Sequence, residues 1–240
     1  MTTSGTANFN LDLGDLVEEA FERCGQELRS GYDMRTARRS LNLLTIEWAN
    51  RGINLWTIEE GTIALVQGQI EYPLLDDTID LLDHVVRTGT GQNQVDININ
   101  RISGSTYSTI PNKNAQGRPI QVWINRQSGA TYPTTEVTNN RKPQINVWPA
   151  PDQNSYYTFV YWRLRRIQDA GNGVNTQDIP FRLLNAMVAG LAFYLSMKVP
   201  GVDPNRIQML KADYEQQLDL AFSEDREKAS NRFVPRIMHV

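Results

Sequence analysis

Two histidines and one cysteine in 240 residues leave little material for the commonest catalytic and metal-binding chemistries. With Cys24 alone, an intrachain disulfide and a cysteine zinc site are both excluded. His84 and His239 stand too far apart for an HExxH motif or a paired-histidine metal site. No apolar run reaches the roughly 20 residues that a membrane-spanning helix needs. The longest candidate, around 181–195, is interrupted by Arg182 and Asn185 and closed by Ser196 and Lys198, so no membrane span is expected. A Walker A lysine motif and a G-x-S-x-G elbow are missing, and Gly89-Thr90-Gly91 lacks the third glycine of a dinucleotide fingerprint. No cofactor is expected. Residues 1–14 hold neither a basic nor an apolar region, so no secretory signal is expected, and synthesis in a cytoplasm is the default. Positive charge is not in excess either. The 24 Lys+Arg against 27 Asp+Glu leave −3, which gives no global footprint for nucleic acid.

What is present has a globular balance. Hydrophobic residues at 40% and charged residues at 21% exclude a disordered chain, and the length suffices for a sizeable core in one or two domains. The small net charge conceals a split. Residues 1–100 carry 7 Lys+Arg and 16 Asp+Glu, a net of −9; residues 101–170 carry 9 and 3, a net of +6; residues 171–240 carry 8 of each. The hypothesis drawn from this polarity is that acidic and basic surfaces of adjacent copies, or of this chain and a partner, face each other.

Periodicity divides the chain. Leu13, Leu16, Val17, Ala20, Phe21, Cys24 and Leu28 recur at helical steps after Asp12, a fitting N-cap. Cys24 falls on that apolar face, where a buried structural thiol is expected. A second helix is predicted over 32–50, with Met34, Ala37, Leu41, Leu44 and Trp48 inward, Arg35, Arg38 and Arg39 opposite, and Gly52 as its terminator. From Ile53 the pattern turns to strands. Candidates are 56–65, 70–73, 79–87, 95–102, 120–126, 144–148 and 156–166, with one short helix at 103–110. On the last strand Tyr157, Phe159, Tyr161 and Arg163 share a face. Helices return at Asp178, with Ile179-Pro180 as a first turn, and after Asp203-Pro204. The fold class expected is α+β: an antiparallel helical bundle of about four helices with an inserted β-rich domain, sandwich or barrel-like. Its parts are a flexible arm (1–9), a helical body (10–52 plus 172–228), the β insertion (53–171) and an extended tail (229–240).

The remaining candidates for chemistry are few. On an alternating strand Asp80 and His84 share a face, as a base and its orienter do; a solvated edge is the preferred reading. Asp76, Asp77, Asp80 and Asp83 suggest a cation site but lack the glycine and terminal glutamate of an EF-hand loop, so an acidic turn is preferred. Arg118, Arg126, Arg141, Lys142, Arg163, Arg165 and Arg166 are interleaved with Tyr107, Trp123, Tyr132, Trp148, Tyr156, Tyr157, Tyr161 and Trp162. That mixture keeps open a carbohydrate- or nucleic-acid-binding β module carried on a helical scaffold. The strand-alternating positions of the aromatics favour a β core instead.

Several local runs resemble the head-to-tail adaptor of short-tailed bacteriophages, the class that includes tail tubular protein A. They are Tyr32-Asp-Met-Arg-Thr-Ala-Arg-Arg-Ser-Leu-Asn-Leu-Leu, Glu47-Trp-Ala-Asn-Arg-Gly-Ile-Asn-Leu-Trp, Ile110-Pro-Asn-Lys, Gly117-Arg-Pro, Val147-Trp-Pro-Ala-Pro-Asp and Glu224-Asp-Arg-Glu-Lys-Ala-Ser. The resemblance covers about residues 9–237 and includes no catalytic motif. It implies a structural virion protein and no enzyme, made and assembled in the host cytoplasm. Such a protein forms a ring of its own copies, typically twelve, beneath the portal protein. It extends the DNA channel, helps retain DNA that passes without sequence-specific binding, and gives the tail nozzle or tail tubular protein a docking surface. Carried onto this chain, the resemblance places the portal or oligomer interface at Arg226, Lys228, Arg232, Phe233, Pro235 and Arg236. It places the ring-forming helical face at Arg35, Arg38 and Arg39, and the tail-side β surface at Asp76, Asp77, Arg118 and Arg126. No catalytic, cofactor-binding or metal residue is implied.

Overall fold

Helix ends are fixed by short local signals. Asp12 accepts from the Asp15 amide at 2.8 Å and starts α1 (Leu13–Cys24), and Gly25 ends it at φ 75°. Ser30 and Asp33 form a reciprocal capping box that starts α2 (Gly31–Arg51), which stops at Gly52 with φ 85°. Ser103 caps the short α3 (Gly104–Ser108). Asp203 caps α5 (Pro204–Glu224), whose first residue needs no N–H partner. The return to helix before α4 (Leu184–Ser196) comes later than the sequence suggests. Pro180 sits at ψ 145°, extended, and a tight turn over Phe181–Leu183 intervenes, with the Leu183 amide donating to the Pro180 carbonyl at 2.9 Å.

The computed structural model describes residues 3–126 and 143–226, and its fold is mixed α+β. The chain forms two units: helices up to Trp56 and from Ile167 onward, and strands over Thr57–Arg166. Residues 3–11 carry no helix or strand. The boundaries follow from hydrogen bonds. Trp56 Nε1 donates to the Asp178 carbonyl at 2.8 Å, and the Ala170 amide donates to Asn42 Oδ1 at 2.8 Å, so both flanks belong with the helices.

In the helical unit α4 is the central element, packed by α1, α2 and α5. It is buried around most of its circumference, which explains why its sequence is apolar on every side. Gly190 lets the neighbours come close: a Cβ there would stand 2.8 Å from the Tyr214 ring and 2.9 Å from Leu44. Beside it Trp48 Nε1 donates to the Tyr214 hydroxyl at 3.2 Å. The Tyr214 and Tyr194 hydroxyls donate to Glu47 Oε2 at 3.1 and 2.7 Å, and Arg51 pairs with the same carboxylate at 2.6 Å. Every member of this polar cluster has a partner, as burial requires.

Among the described residues the strand unit holds two four-stranded sheets. In the first, β1 (Ile58–Ala64), β8 (Tyr157–Arg165), β3 (Thr78–Thr88) and β4 (Val95–Asn98) lie in the order β1-β8-β3-β4, all antiparallel. In the second, β2 (Glu71–Pro73), β7 (Gln144–Trp148), β6 (Gln121–Asn125) and β5 (Asn100–Ile102) lie in the order β2-β7-β6-β5, with β5 parallel to β6. Tyr157, Phe159 and Tyr161 on β8 share one core with Tyr72, Val122, Ile124, Ile145 and Val147 of the second sheet. The alternation read on β8 is what places them there.

Candidate assembly surfaces

The charge contrast along the sequence is cancelled inside the strand unit. Residues 57–166 hold 10 Lys+Arg and 10 Asp+Glu, so the chain's net −3 resides in residues 1–56 and 167–240. Arg163, only 6% exposed, donates to Glu59 at 2.7 Å and also pairs with Asp77. Arg165 pairs with Glu59 at 2.6 Å. Hydrogen bonding from Arg163 holds the Glu59 carboxyl below its ordinary range. Arg87 and Asp96 face each other across β3 and β4 with two bonds of 2.8 and 2.9 Å, which lowers the Asp96 pKa. Arg101 and Arg126 converge on Asp80 at 2.8 and 3.2 Å. The expectation that acidic and basic segments face other molecules is thus corrected for this unit: among the described residues these opposite charges meet within one chain.

These pairs also bear on the tail-side residues. Asp77 is held by Arg163 and Arg126 by Asp80, whereas Asp76 and Arg118 are exposed, the latter acting electrostatically on Tyr157. The four do not gather at one point. The aspartates of 76–83 do not converge on a cation position either, since Asp77 and Asp80 turn to arginines, and the described residues contain no metal-holding cluster of His, Cys, Asp and Glu.

The Asp80–His84 relationship expected from alternation is overturned. Asp80 stands opposite Leu164, but His84 stands opposite Tyr161, because the register of β3 slips between Leu81 and Asp83. The extra residue, Leu82, reverses the face of everything after it, so Asp80 and His84 lie on opposite sides of the sheet. His84 is half-buried and stacked on Phe159 at 5.9 Å, and desolvation and Arg101 depress its pKa. Cys24 is a buried thiol that donates to the Ala192 carbonyl at 3.2 Å, with its pKa pushed up to about 11 by burial.

The aromatic residues of the strand unit are largely structural. Tyr157, Phe159 and Tyr161 are in the core, Trp123 stacks on Tyr107 at 5.1 Å, and Trp148 Nε1 donates to the Asn112 carbonyl at 3.0 Å. Arg163 and Arg165, which a phosphate-binding surface would need, are engaged by carboxylates. Tyr132, Arg141 and Lys142 lie outside the described residues.

The helical unit keeps its charge on the outside. Arg35, Arg38 and Arg39 are exposed on α2, and among the described residues no carboxylate pairs with them. Tyr32, Leu43 and Ile46, at 64, 53 and 50% exposure, share a stripe with Arg35 and Arg39 at steps of three and four residues. The sequence signal for Leu43 and Ile46 was available, because both fall outside the inward series of Ala37, Leu41, Leu44 and Trp48. On α1, Asp15, Glu18 and Glu22 are exposed along one face. They edge a groove of about 430 Å³ whose floor includes Leu184 and Val188. Arg226 is exposed just after α5. Lys228, Arg232, Phe233, Pro235 and Arg236 lie outside the described residues.

Among the described residues no helix is long and apolar enough to cross a membrane. No curated protein matches the chain. The family model of the SU10 adaptor protein matches residues 11–236, spanning both units. The chain therefore belongs to the SU10 adaptor protein family, a structural adaptor of a bacteriophage particle and the kind of protein to which its local sequence runs pointed.

Proposed function

We propose that this adaptor is a ring-forming component of the virion neck, assembled in the host cytoplasm, that docks beneath the portal protein and carries the tail nozzle. The family match over residues 11–236 is the observation that carries this reading. The ring has about twelve copies and extends the DNA channel. It helps retain DNA that passes through without sequence-specific binding. The protein performs no reaction. Its ring-forming face is the outer side of α2 with Arg35, Arg38 and Arg39, which the structure leaves exposed and without carboxylate partners among the described residues. The segment from Arg226 to Arg236, with Lys228, Arg232, Phe233 and Pro235, anchors it to the portal. Its cations and single aromatic suit an acidic, partly apolar groove, and its ordering cost is offset by repetition around the ring. The strand unit, with Asp76 and Arg118 exposed, faces the nozzle.

The test mixes the full chain, and a chain lacking 229–240, with purified portal rings and measures the mass of the complexes. The full chain is expected to add about one ring of mass and the truncated chain none, with unchanged circular dichroism. Portal binding by the truncated chain would overturn the role of the tail. No binding by the full chain would overturn the portal reading.

A further inference from the structure

Two faces of the helical unit are opposite in charge, and among the described residues no ion pair satisfies either of them. The outer stripe of α2 presents Arg35 and Arg39 and continues into the exposed Leu43 and Ile46. The outer face of α1 presents Asp15, Glu18 and Glu22 along a groove that the exposed Phe9 also lines, with Arg23 tied to Glu19 at its side. Among the described residues no ion pair joins α1 to α2. The ion pairs that α1 does make join Arg23 to Glu19 at 2.9 Å and to Asp213 at 3.6 Å, leaving Asp15, Glu18 and Glu22 outside them. Each face joins a charged row to exposed apolar side chains, Arg35 and Arg39 to Leu43 and Ile46 on α2, and Asp15, Glu18 and Glu22 to Phe9 beside α1, the composition of a protein contact with a dry centre and a charged rim.

We propose that the α2 face of one copy seats against the acidic α1 face of the next, Arg35 and Arg39 opposite Glu18 and Glu22. The contact is heterologous, because two different patches meet. Repeated by a rotation that closes, such a contact builds a ring. This deepens the ring reading above and rests on it, naming the surface that meets α2. The occupant of the α2 face is a second copy of this chain and not the phosphates of DNA. Leu43 and Ile46 continue the arginine stripe and gain from burial against protein, and the opposing charge is supplied by the same chain.

The test reverses each face in the full-length protein. Arg35→Glu with Arg39→Glu makes both faces acidic, and Glu18→Arg with Glu22→Arg makes both basic. Each variant alone is expected to lose at least about tenfold in self-association at low salt, read by light scattering and native mass spectrometry. An equimolar mixture is expected to recover it as alternating assemblies, because every junction then pairs opposite signs. All four substitutions are exposed, and circular dichroism confirms that each variant is folded. Oligomers that persist in both variants, or variants that fail to rescue each other, overturn the pairing while leaving the adaptor reading intact. Loss of duplex-DNA retention by the Arg35→Glu, Arg39→Glu chain with unchanged mass overturns it in favour of a polyanion on α2. A wild-type chain that stays monomeric both alone and on the portal overturns the pairing and the ring together.

Discussion

Arg163 on β8 and Glu59 on β1 are direct partners in the antiparallel ladder, and the guanidinium reaches the carboxylate at 2.7 Å. The two residues stand 104 positions apart and join the acidic front of the sequence to its basic middle. Because Arg163 is 6% exposed, its charge is supported almost wholly by Glu59 and Asp77. Arg163→Ala is expected to lower stability by about 2 kcal/mol, below the range of a fully buried pair, because the two carboxylates keep 43 and 46% exposure and rehydrate. Denaturant midpoints at neutral pH measure this. The Glu59 pKa is lowered on folding, so its stabilisation is present above about pH 4.5 and is lost as pH falls through the folded value. Arg163→Ala should therefore also flatten the acid limb of the stability curve. An unaltered acid limb would show that the pair does not support the fold.

His84 gives a pH dependence of its own. Burial beside Phe159 and the charge of Arg101 depress its pKa, so the unfolded chain takes up the proton first. The stability of the neutral imidazole is then complete above about pH 6.5 and falls as pH drops through the folded value. His84→Leu is expected to reduce the loss of stability between pH 8 and pH 5.5. Equal losses in the variant and the parent, measured by chemical denaturation, would remove His84 as the source.

The same histidine marks where the sequence stops being legible. Helix ends could be read because their signals are local: Asp12, Gly52 and Asp203 each act on amides or carbonyls within a few residues. The face of β8 could be read because an uninterrupted strand alternates. The slip at Leu82 leaves composition and local pattern unchanged, yet it moves His84 to the other side from Asp80. Nothing local specifies the parallel pairing of β5 with β6, or that Arg163 would meet Glu59 and Asp77. Of the assembly surfaces, Arg35, Arg38 and Arg39 were legible as the side opposite the apolar stripe. Leu43 and Ile46 fall outside the inward series as well, but only packing shows that no other element of the helical unit covers them.

Tyr214 links α5 to α2 by accepting from Trp48 and donating to Glu47. Tyr214→Phe keeps the ring and removes both bonds, leaving the Trp48 indole N–H buried without an acceptor. A loss of about 1–3 kcal/mol is expected, most of it from that orphaned donor. Burial pushes the pKa of Tyr214 up, and that of neighbouring Tyr194 up to about 12. Their stabilisation is present below about pH 10 and is lost as pH rises through the folded values. The parent should therefore unfold more steeply in alkali than Tyr214→Phe; identical alkaline transitions would contradict the assignment.

Gly190 sets how closely α2 and α5 approach α4. Replacing it by alanine gains about 1 kcal/mol of helix propensity. The added methyl, however, would stand 2.8 Å from the Tyr214 ring and 2.9 Å from both Leu44 methyls, closer than a Cβ is tolerated. Both neighbours belong to buried side chains in the same core, and a shift of Tyr214 would disturb its bond with Trp48. Overpacking of this kind costs typically about 1–3 kcal/mol, enough to outweigh the propensity gain. Gly190→Ala is expected to lower the thermal midpoint, and combined with Leu44→Ala it should cost less than the sum of the two single changes, because the truncated side chain leaves room for the methyl. If Gly190→Ala alone raises the midpoint, propensity outweighs packing, and the close approach of the three helices is not the constraint that glycine meets.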